Sequence, residues 1–446
     1  MTNNVKEPPV SITDEPRPQS FTIDEKDLEF LVIIENGDFG TVKKAIVTKK
    51  NSGTQLNVLI KYNDRPHDNS QFKHLLNERD ILCSLDSHPN IVSLIGLVPA
   101  RNWIILEYAD GGNLVSYLRR HLEVFKDQIV YSSSGNLKGY MNFTNPPCKT
   151  DELKRAEMSD DLHSLCTIDL FAFAYQIANG MKYLASVKCT HRDLCLSNIL
   201  LTNRKTIRIG DFRLARKTEE SGYYRIVKQV ESLRLLWTAP ETIEKNTSNE
   251  KSDVWSFAVC LHEMFSLGEA PDAGVRFEDF HVFLKSGGRF NEPAYCPPRI
   301  YTFMLWCWKM DPEKRPTFSE CFDFFCTNIN SYDIHMTKRI DEKLKTDLKM
   351  QENQKNWARA KEPPASITDG PRPHLFSLDV ELEFLVIIRC GRLDTTKATL
   401  TNDSSETQLN ALIKYSDRSH DTNHFKHILN ERYPSECSQL DWLGSN

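Results

Sequence analysis

The chain has 446 residues, 40% of them apolar and 26% charged, with a formal net charge of -5. That is the balance of an ordinary soluble globular protein of roughly two to four domains, and it supplies no basic surface for nucleic acid or an anionic membrane. Apolar runs such as FLVII at 30–34 and LFAFAYQIA at 170–178 fall short of the ~18 residues that cross a bilayer, no secretory signal is visible, and twelve scattered cysteines indicate free thiols in a reducing, cytoplasmic setting.

Residues 1–27 are Pro-rich, polar and read as extended. From 28 to 108, the runs LEFLVII, GTVKKAIV, LNVLIKY, IVSLIGL and WIILEY alternate with turn residues around one helical pattern at 70–84. This predicts a small antiparallel β lobe carrying one helix. Beyond 110 the period becomes helical, in LFAFAYQIANGMKYLAS and DVWSFAVCLHEMFSL, so a larger, mainly helical lobe follows and the fold class is α+β. A polar, aperiodic stretch at about 123–166 reads as a flexible insert between two helices, with the helical lobe resuming over 167–330.

The charged stretch at 331–360 reads as a linker or a solvated helix. Residues 361–446 then restart the chain: KEPPASITDGPRPHLFSLDVELEFLVII at 361–388 repeats KEPPVSITDEPRPQSFTIDEKDLEFLVII at 6–34, and the likeness continues through TQLNALIKY to FKHILNER. Because the residues between 86 and 360 occur once, this is a truncated duplicate of the start of the β lobe and not a solenoid repeat.

Chemistry is concentrated at a few points. In ENGDFGTV at 35–42, glycines 37 and 40 let backbone N–H groups approach a phosphate chain, Phe39 can cap it, and Val42 can roof a flat base. Lys61 ends the apolar strand VLIK, where its ammonium would point at phosphates, and Glu78 in FKHLLNERDIL is a candidate to brace it. HRDLCLSNIL at 191–200 and GDF at 210–212 then supply Asp193, Asn198 and Asp211. Phosphoryl transfer needs this set: one carboxylate to accept a hydroxyl proton, and an amide and a second carboxylate to hold Mg²⁺ against a triphosphate.

Over about 28–330 the ordered motifs resemble a protein kinase. WTAPE at 237–241, DVWSFAV at 253–259 and CWKMDPEKRPTF at 307–318 resemble the end of the activation segment, the helix behind it and the closing region, with Glu241 and Arg315 where the family forms a buried ion pair. Trp237, GGRFNEPAYCPP and the CW pair at 307–308 are similar to tyrosine kinases. LEYADGGNLVSYLRRH, the insert and the tandem Tyr223–Tyr224 look most like the split-kinase receptors of the fibroblast and platelet-derived growth factor type, of which only the cytoplasmic part is represented.

The resemblance implies a two-lobed fold with ATP between the lobes, held by Gly37, Phe39, Gly40, Val42, Leu59, Lys61, Leu106, Glu107 and Ala109. It implies that Lys61, braced by Glu78, contacts phosphates, that Asp193 acts as base beside Arg192, and that Asn198 and Asp211 ligate Mg²⁺. Protein tyrosine would be the substrate, phosphate on Tyr223 and Tyr224 would order the loop, and YMNF at 140–143 would make Tyr140 a dock for SH2-domain proteins. The chain departs from the family pattern at five places. Glu35 replaces the first glycine of the loop, Leu59 a small alanine, and Arg234 a proline of the substrate-docking segment. Leu196 and Ser197 stand where a catalytic-loop cation is placed, and Arg213 stands for the glycine after Asp-Phe. The expectation is a protein-tyrosine kinase that these departures would impair; the alternative is a pseudokinase that binds or scaffolds. The duplicate keeps Lys414 and Glu431 but has Asp394 and Thr396 for Gly40 and Val42, and lacks a catalytic loop.

Overall fold

The computed structural model describes residues 22–37, 40–49, 53–63, 69–131, 137–140, 162–217, 224–225, 234–332, 335–359, 394–400 and 409–415. Alternating, β-branched sequence produces five strands: β1 (Leu28–Gly37), β2 (Gly40–Thr48), β3 (Gln55–Tyr62), β4 (Leu94–Val98) and β5 (Trp103–Glu107). They form one sheet in the order β1-β2-β3-β5-β4 with every pairing antiparallel. Successive side chains on β3 take opposite faces: Val58 and Ile60 are fully buried in an upper cluster with Ala45 and Ile105, which leaves Leu59 and Lys61 on the other face. Gly40 has φ of 99°, and a Cβ there would lie 2.6 Å from the Tyr62 carbonyl oxygen, so the β1–β2 turn requires glycine.

Helix α1 (Asn69–Ser84) packs on the sheet through Leu75 and Leu82 and is the single α-helix of this lobe among the described residues. The larger lobe contains α2 (Leu114–Arg120), α3 (Thr167–Ser186), α4 (Pro240–Lys245), α5 (Glu250–Phe265), α6 (Phe280–Lys285), α7 (Pro298–Cys307) and α8 (Phe318–Tyr332). α3 and α5 are apolar on nearly every side and are buried along most of their length, as expected of central pillars. Gly180 lets α3 lie close to the strand ahead of Asp211, because a Cβ there would be 2.7 Å from Ile209 Cδ1.

Order reaches into the polar insert from both ends. Phe125–Lys126 pairs in parallel with Leu165–Cys166, and Ile129–Tyr131 pairs antiparallel with Leu137–Tyr140. The anchor is apolar: Leu165 is 1% exposed inside the helical-lobe core. Residues 141–161 lie outside the described residues.

The charged stretch that follows is helix α9 (Met336–Arg359), and it is not solvated all round. Met336, Ile340, Leu344, Asp347 and Gln351 recur at three- or four-residue spacing and all are buried. The composition is hydrophilic on average, yet this stripe is enough to seat one face. Among the described residues no helix is long and apolar enough to cross a membrane.

Residues 367–446 form a separate compact unit, in which Asp394–Leu400 pairs antiparallel with Leu409–Tyr415. In the first copy Lys61 stands opposite Val42 and Val58 opposite Ala45; here Lys414 stands opposite Thr395 and Ala411 opposite Ala398. By this pairing Thr395, and not Thr396 as the sequence comparison has it, takes the place of Val42, and the two hairpins share one register.

Candidate active site

The sheet sets out one row of the site. Glu35, Val42 and Lys61 lie directly opposite one another across β1, β2 and β3, and all three line the cavity against α1. Glu35 therefore does enter the cleft beside Lys61, although its side chain is solvent-exposed. Lys61 Nζ donates to both carboxylate oxygens of Glu78, at 2.8 and 3.0 Å, and lies 3.4 Å from Asp211 Oδ1. Burial opposes the ammonium charge, but the Asp211 and Glu78 carboxylates outweigh it and hold the Lys61 pKa above its ordinary value. Burial also raises the pKa of Glu78, with Lys61 opposing the shift.

A short hairpin brings Asn198 and Asp211 together. Ile199–Leu201 pairs with Ile207–Ile209, with Ile199 opposite Ile209, so Asn198 just before it and Asp211 just after it emerge side by side. Gly210 N donates to the Asn198 carbonyl at 2.9 Å. The Asn198 amide nitrogen is spent on Asp193, donating to its carbonyl at 2.7 Å and to Oδ2 at 3.1 Å, which leaves the amide oxygen for a cation. Together with the Asp211 carboxylate this is an all-oxygen donor set that suits Mg²⁺.

Asp211 sits in the left-handed region, φ 62°, and Arg192 likewise at 69°. For non-glycine residues such backbone costs of order 1–3 kcal/mol and persists where the surroundings impose it. Those surroundings are visible. Asp253 at the start of α5 accepts from the backbone N–H groups of His191 at 2.6 Å and Arg192 at 2.9 Å. The His191 ring bonds the Gly210 carbonyl through Nε2 at 3.0 Å, which assigns the proton to that nitrogen. Arg192 donates to the Leu214 carbonyl at 3.0 Å. Phe212 is fully buried, edge-on to His191, and Asn77 on α1 donates to the Phe212, Arg213 and Ala215 carbonyls at 3.3, 3.0 and 3.0 Å. Asn77 has no sequence signal of its own, since it looks like any polar helix residue.

Asp193, only 6% exposed, faces Asp211 and two guanidinium groups. Arg213 Nη2 lies 3.3 Å from Asp193 Oδ2 and 3.1 Å from Asp211 Oδ2, and Arg234 Nε lies 3.7 Å from Asp193 Oδ1. Burial pushes the Asp193 carboxyl up to about 6, helped by Asp211 and opposed by both arginines. Arg213 lies in a 3-10 turn, Phe212–Leu214, and is not among the positive-φ residues. In this conformation the position makes no demand for glycine, so the substitution acts through its charged side chain and not through backbone strain.

The hinge residues bracket the far end of the cleft. Leu106 and Ala109 are buried, and Leu59 stands opposite Leu106 across β3 and β5. The Glu107 carboxylate is engaged at the back, accepting from Ser93 N at 2.7 Å and from Gln351 Nε2 at 2.6 Å, so only its backbone is offered to a ligand. Arg315 and Glu241 form a bidentate pair at 2.7 and 2.7 Å with Arg315 buried. Gly37 pairs with Gly40 at the β1–β2 turn, and Tyr224–Arg225 pairs with Thr247–Ser248. Tyr140 ends the second strand of the insert's hairpin, and Phe39, Tyr223 and Glu431 lie outside the described residues.

A family model described as protein tyrosine and serine/threonine kinase matches residues 28–325. The chain is 38% identical over 359 residues to a receptor-like tyrosine-protein kinase, kin-15, of Caenorhabditis elegans, covering 76% of this chain and 72% of that one. It is 33% identical over 368 residues to the tyrosine-protein kinase receptor ver-3 of the same organism, covering 78% of this chain but 30% of the relative. It is 35% identical over 308 residues to vascular endothelial growth factor receptor 3 of Danio rerio, where the shares are 64% and 22%. The match thus spans less than a third of the length of these last two receptors. Both lobes, and the cleft between them, fall within the matched span, and the chain belongs to the protein tyrosine and serine/threonine kinase family, in its tyrosine kinase group.

Proposed function

We propose that this chain catalyses transfer of the γ-phosphoryl group of ATP to a protein tyrosine. The carrying observation is the convergence of Lys61, Glu78 and Asp211, with Lys61 2.8 Å from one carboxylate and 3.4 Å from the other. In the reaction a bond forms between the tyrosine oxygen and the γ-phosphorus, the bond to the β–γ bridging oxygen breaks, and ADP leaves. Asp193 takes the phenolic proton, while Lys61, fixed by Glu78, holds the phosphates in line. Asn198 and Asp211 would hold Mg²⁺, whose charge would offset that of the phosphates. Phosphate incorporation into a poly-Glu/Tyr polymer with Mg²⁺ and ATP should exceed that of an Asp193→Asn variant by at least about 10²-fold. Equal incorporation would reject the enzyme.

The second reading, a pseudokinase that binds or scaffolds, is favoured by the two arginines that occupy Asp193 and by Glu35 in the phosphate row. The same assay separates the two. On either reading Tyr140, once phosphorylated, would serve as an SH2 dock. A phosphopeptide spanning 136–147 should bind an SH2 domain that selects asparagine two residues after phosphotyrosine, and no binding would remove that partner.

A further inference from the structure

The loop from Leu194 to Ser197 brings no positive charge to the place where phosphoryl transfer concentrates negative charge. Leu194, Cys195 and Leu196 are buried, and Ser197 Oγ turns to Cys195 Sγ at 3.2 Å. A guanidinium from another segment nevertheless stands at Asp193. Arg234 Nε lies 3.7 Å from Asp193 Oδ1, with its side chain 41% exposed. Its head also lies 6.0 Å from the centre of the Trp237 ring. Trp237 is tied down in turn, donating through Nε1 to Glu263 Oε2 at 2.8 Å, and the same oxygen accepts from Leu196 N at 3.3 Å. Glu263 on α5 thereby joins the catalytic loop to the segment that carries Arg234.

Arg213 is not an equivalent cation. It bridges Asp193 and Asp211 at 3.3 and 3.1 Å and is 14% exposed, so its charge is consumed on the metal side. Arg234, on the segment ahead of α4, lies by Asp193 and Trp237 and keeps part of its side chain open to solvent.

We propose that Arg234 is the catalytic cation of this protein, contacting the phosphoryl group as it passes to the tyrosine oxygen while Asp193 takes the proton. This inference rests on the phosphotransfer reading above. A positive charge preorganised at the developing negative charge lowers the barrier without reorganisation.

The test uses the full chain and four proteins: wild type, Asp193→Asn, Arg234→Ala and Arg234→Lys. Arg234→Ala should lose about 10- to 100-fold in kcat with little change in KM for ATP. Arg234→Lys should lose less, and guanidinium ion added to Arg234→Ala below denaturing concentration should recover activity. Thermal melting and binding of a fluorescent tyrosine peptide, read by anisotropy without turnover, should match wild type. If Arg234→Ala retains or gains activity, Arg234 is a restraint on Asp193 and the proposal fails. Activity lost together with melting temperature, or unrecovered by guanidinium, also overturns it, because the role is then structural. If wild type equals Asp193→Asn, the phosphotransfer reading itself fails and takes this one with it; an active wild type with an unimpaired Arg234→Ala defeats only this one.

Discussion

At the scale of single residues the site is a charge balance. Lys61, Arg213 and Arg234 face Glu78, Asp193 and Asp211, and every group of one sign lies within 3.7 Å of a group of the other. Arg213 sits across both carboxylates that a Mg²⁺–nucleotide complex would face, so a cation is already where another is needed. Its replacement by glycine should lower the Mg²⁺ concentration that half-maximally raises the melting temperature with ATP, by about three- to tenfold. An unchanged midpoint would show that the arginine swings clear at no cost. That prediction needs the tertiary contact: the sequence shows only that Arg213 stands for a glycine, and the structure shows what its charge meets. Glu35 moved the other way, since the sequence placed it near phosphates and the strand register puts it there.

Elements position these residues, and α5 does so at both ends. Asp253 holds the backbone of His191 and Arg192, and Glu263 holds Trp237 and the catalytic loop. Burial pushes the Glu263 carboxyl up to about 7, with the Trp237 and Leu196 N–H groups and Arg234 opposing it. The folded state therefore binds this proton more tightly than the unfolded chain does. Its contribution to stability is full below the ordinary value near 4.5 and is lost as pH rises through about 7. The loss is on the order of 3 kcal/mol. Glu263→Gln keeps an acceptor oxygen for both donors, so the variant's unfolding free energy should decline less than wild type's across that interval. Parallel pH curves for the two proteins would assign the slope to other carboxyls. The pillar character of α5 was legible in DVWSFAVCLHEMFSL as an apolar helix; its two buried acids were not, because a pattern shows that a helix is buried and not which donors await its polar groups.

For the molecule as a whole, α9 decides more than its composition promised. Gln351 donates to the Ile91 carbonyl at 3.1 Å and to Glu107 at 2.6 Å, and Asp347 pairs with Arg208 at 2.9 Å, which itself lies 3.3 Å from Glu107. Farther along, Lys355 donates to Ser87 and Trp357 to Thr54, each at 2.9 Å. One helix thus joins α3, through Tyr175 and Asp341 at 2.9 Å, to the back of the hinge and the β2–β3 turn. Leu344→Ala, at 3% exposure, should cost about 2–5 kcal/mol in denaturant unfolding. A change below 0.5 kcal/mol, the ordinary range for a surface substitution, would mean that α9 does not contribute to the cooperative unit.

The sequence by itself determined the β lobe, the helical lobe, the order of the phosphotransfer motifs and the duplication. Each is carried by local periodicity or by exact residue spacing, which survive without knowledge of the fold. The Lys61–Glu78 and Arg315–Glu241 pairs were legible with the motifs, and the tertiary structure alone decided the contacts that no motif announces. Arg234 reaches Asp193 across 41 residues, and Gln351 reaches Glu107 across 244. Such contacts depend on how closely buried elements approach and on where loops close, and neither is encoded in the period of any one segment.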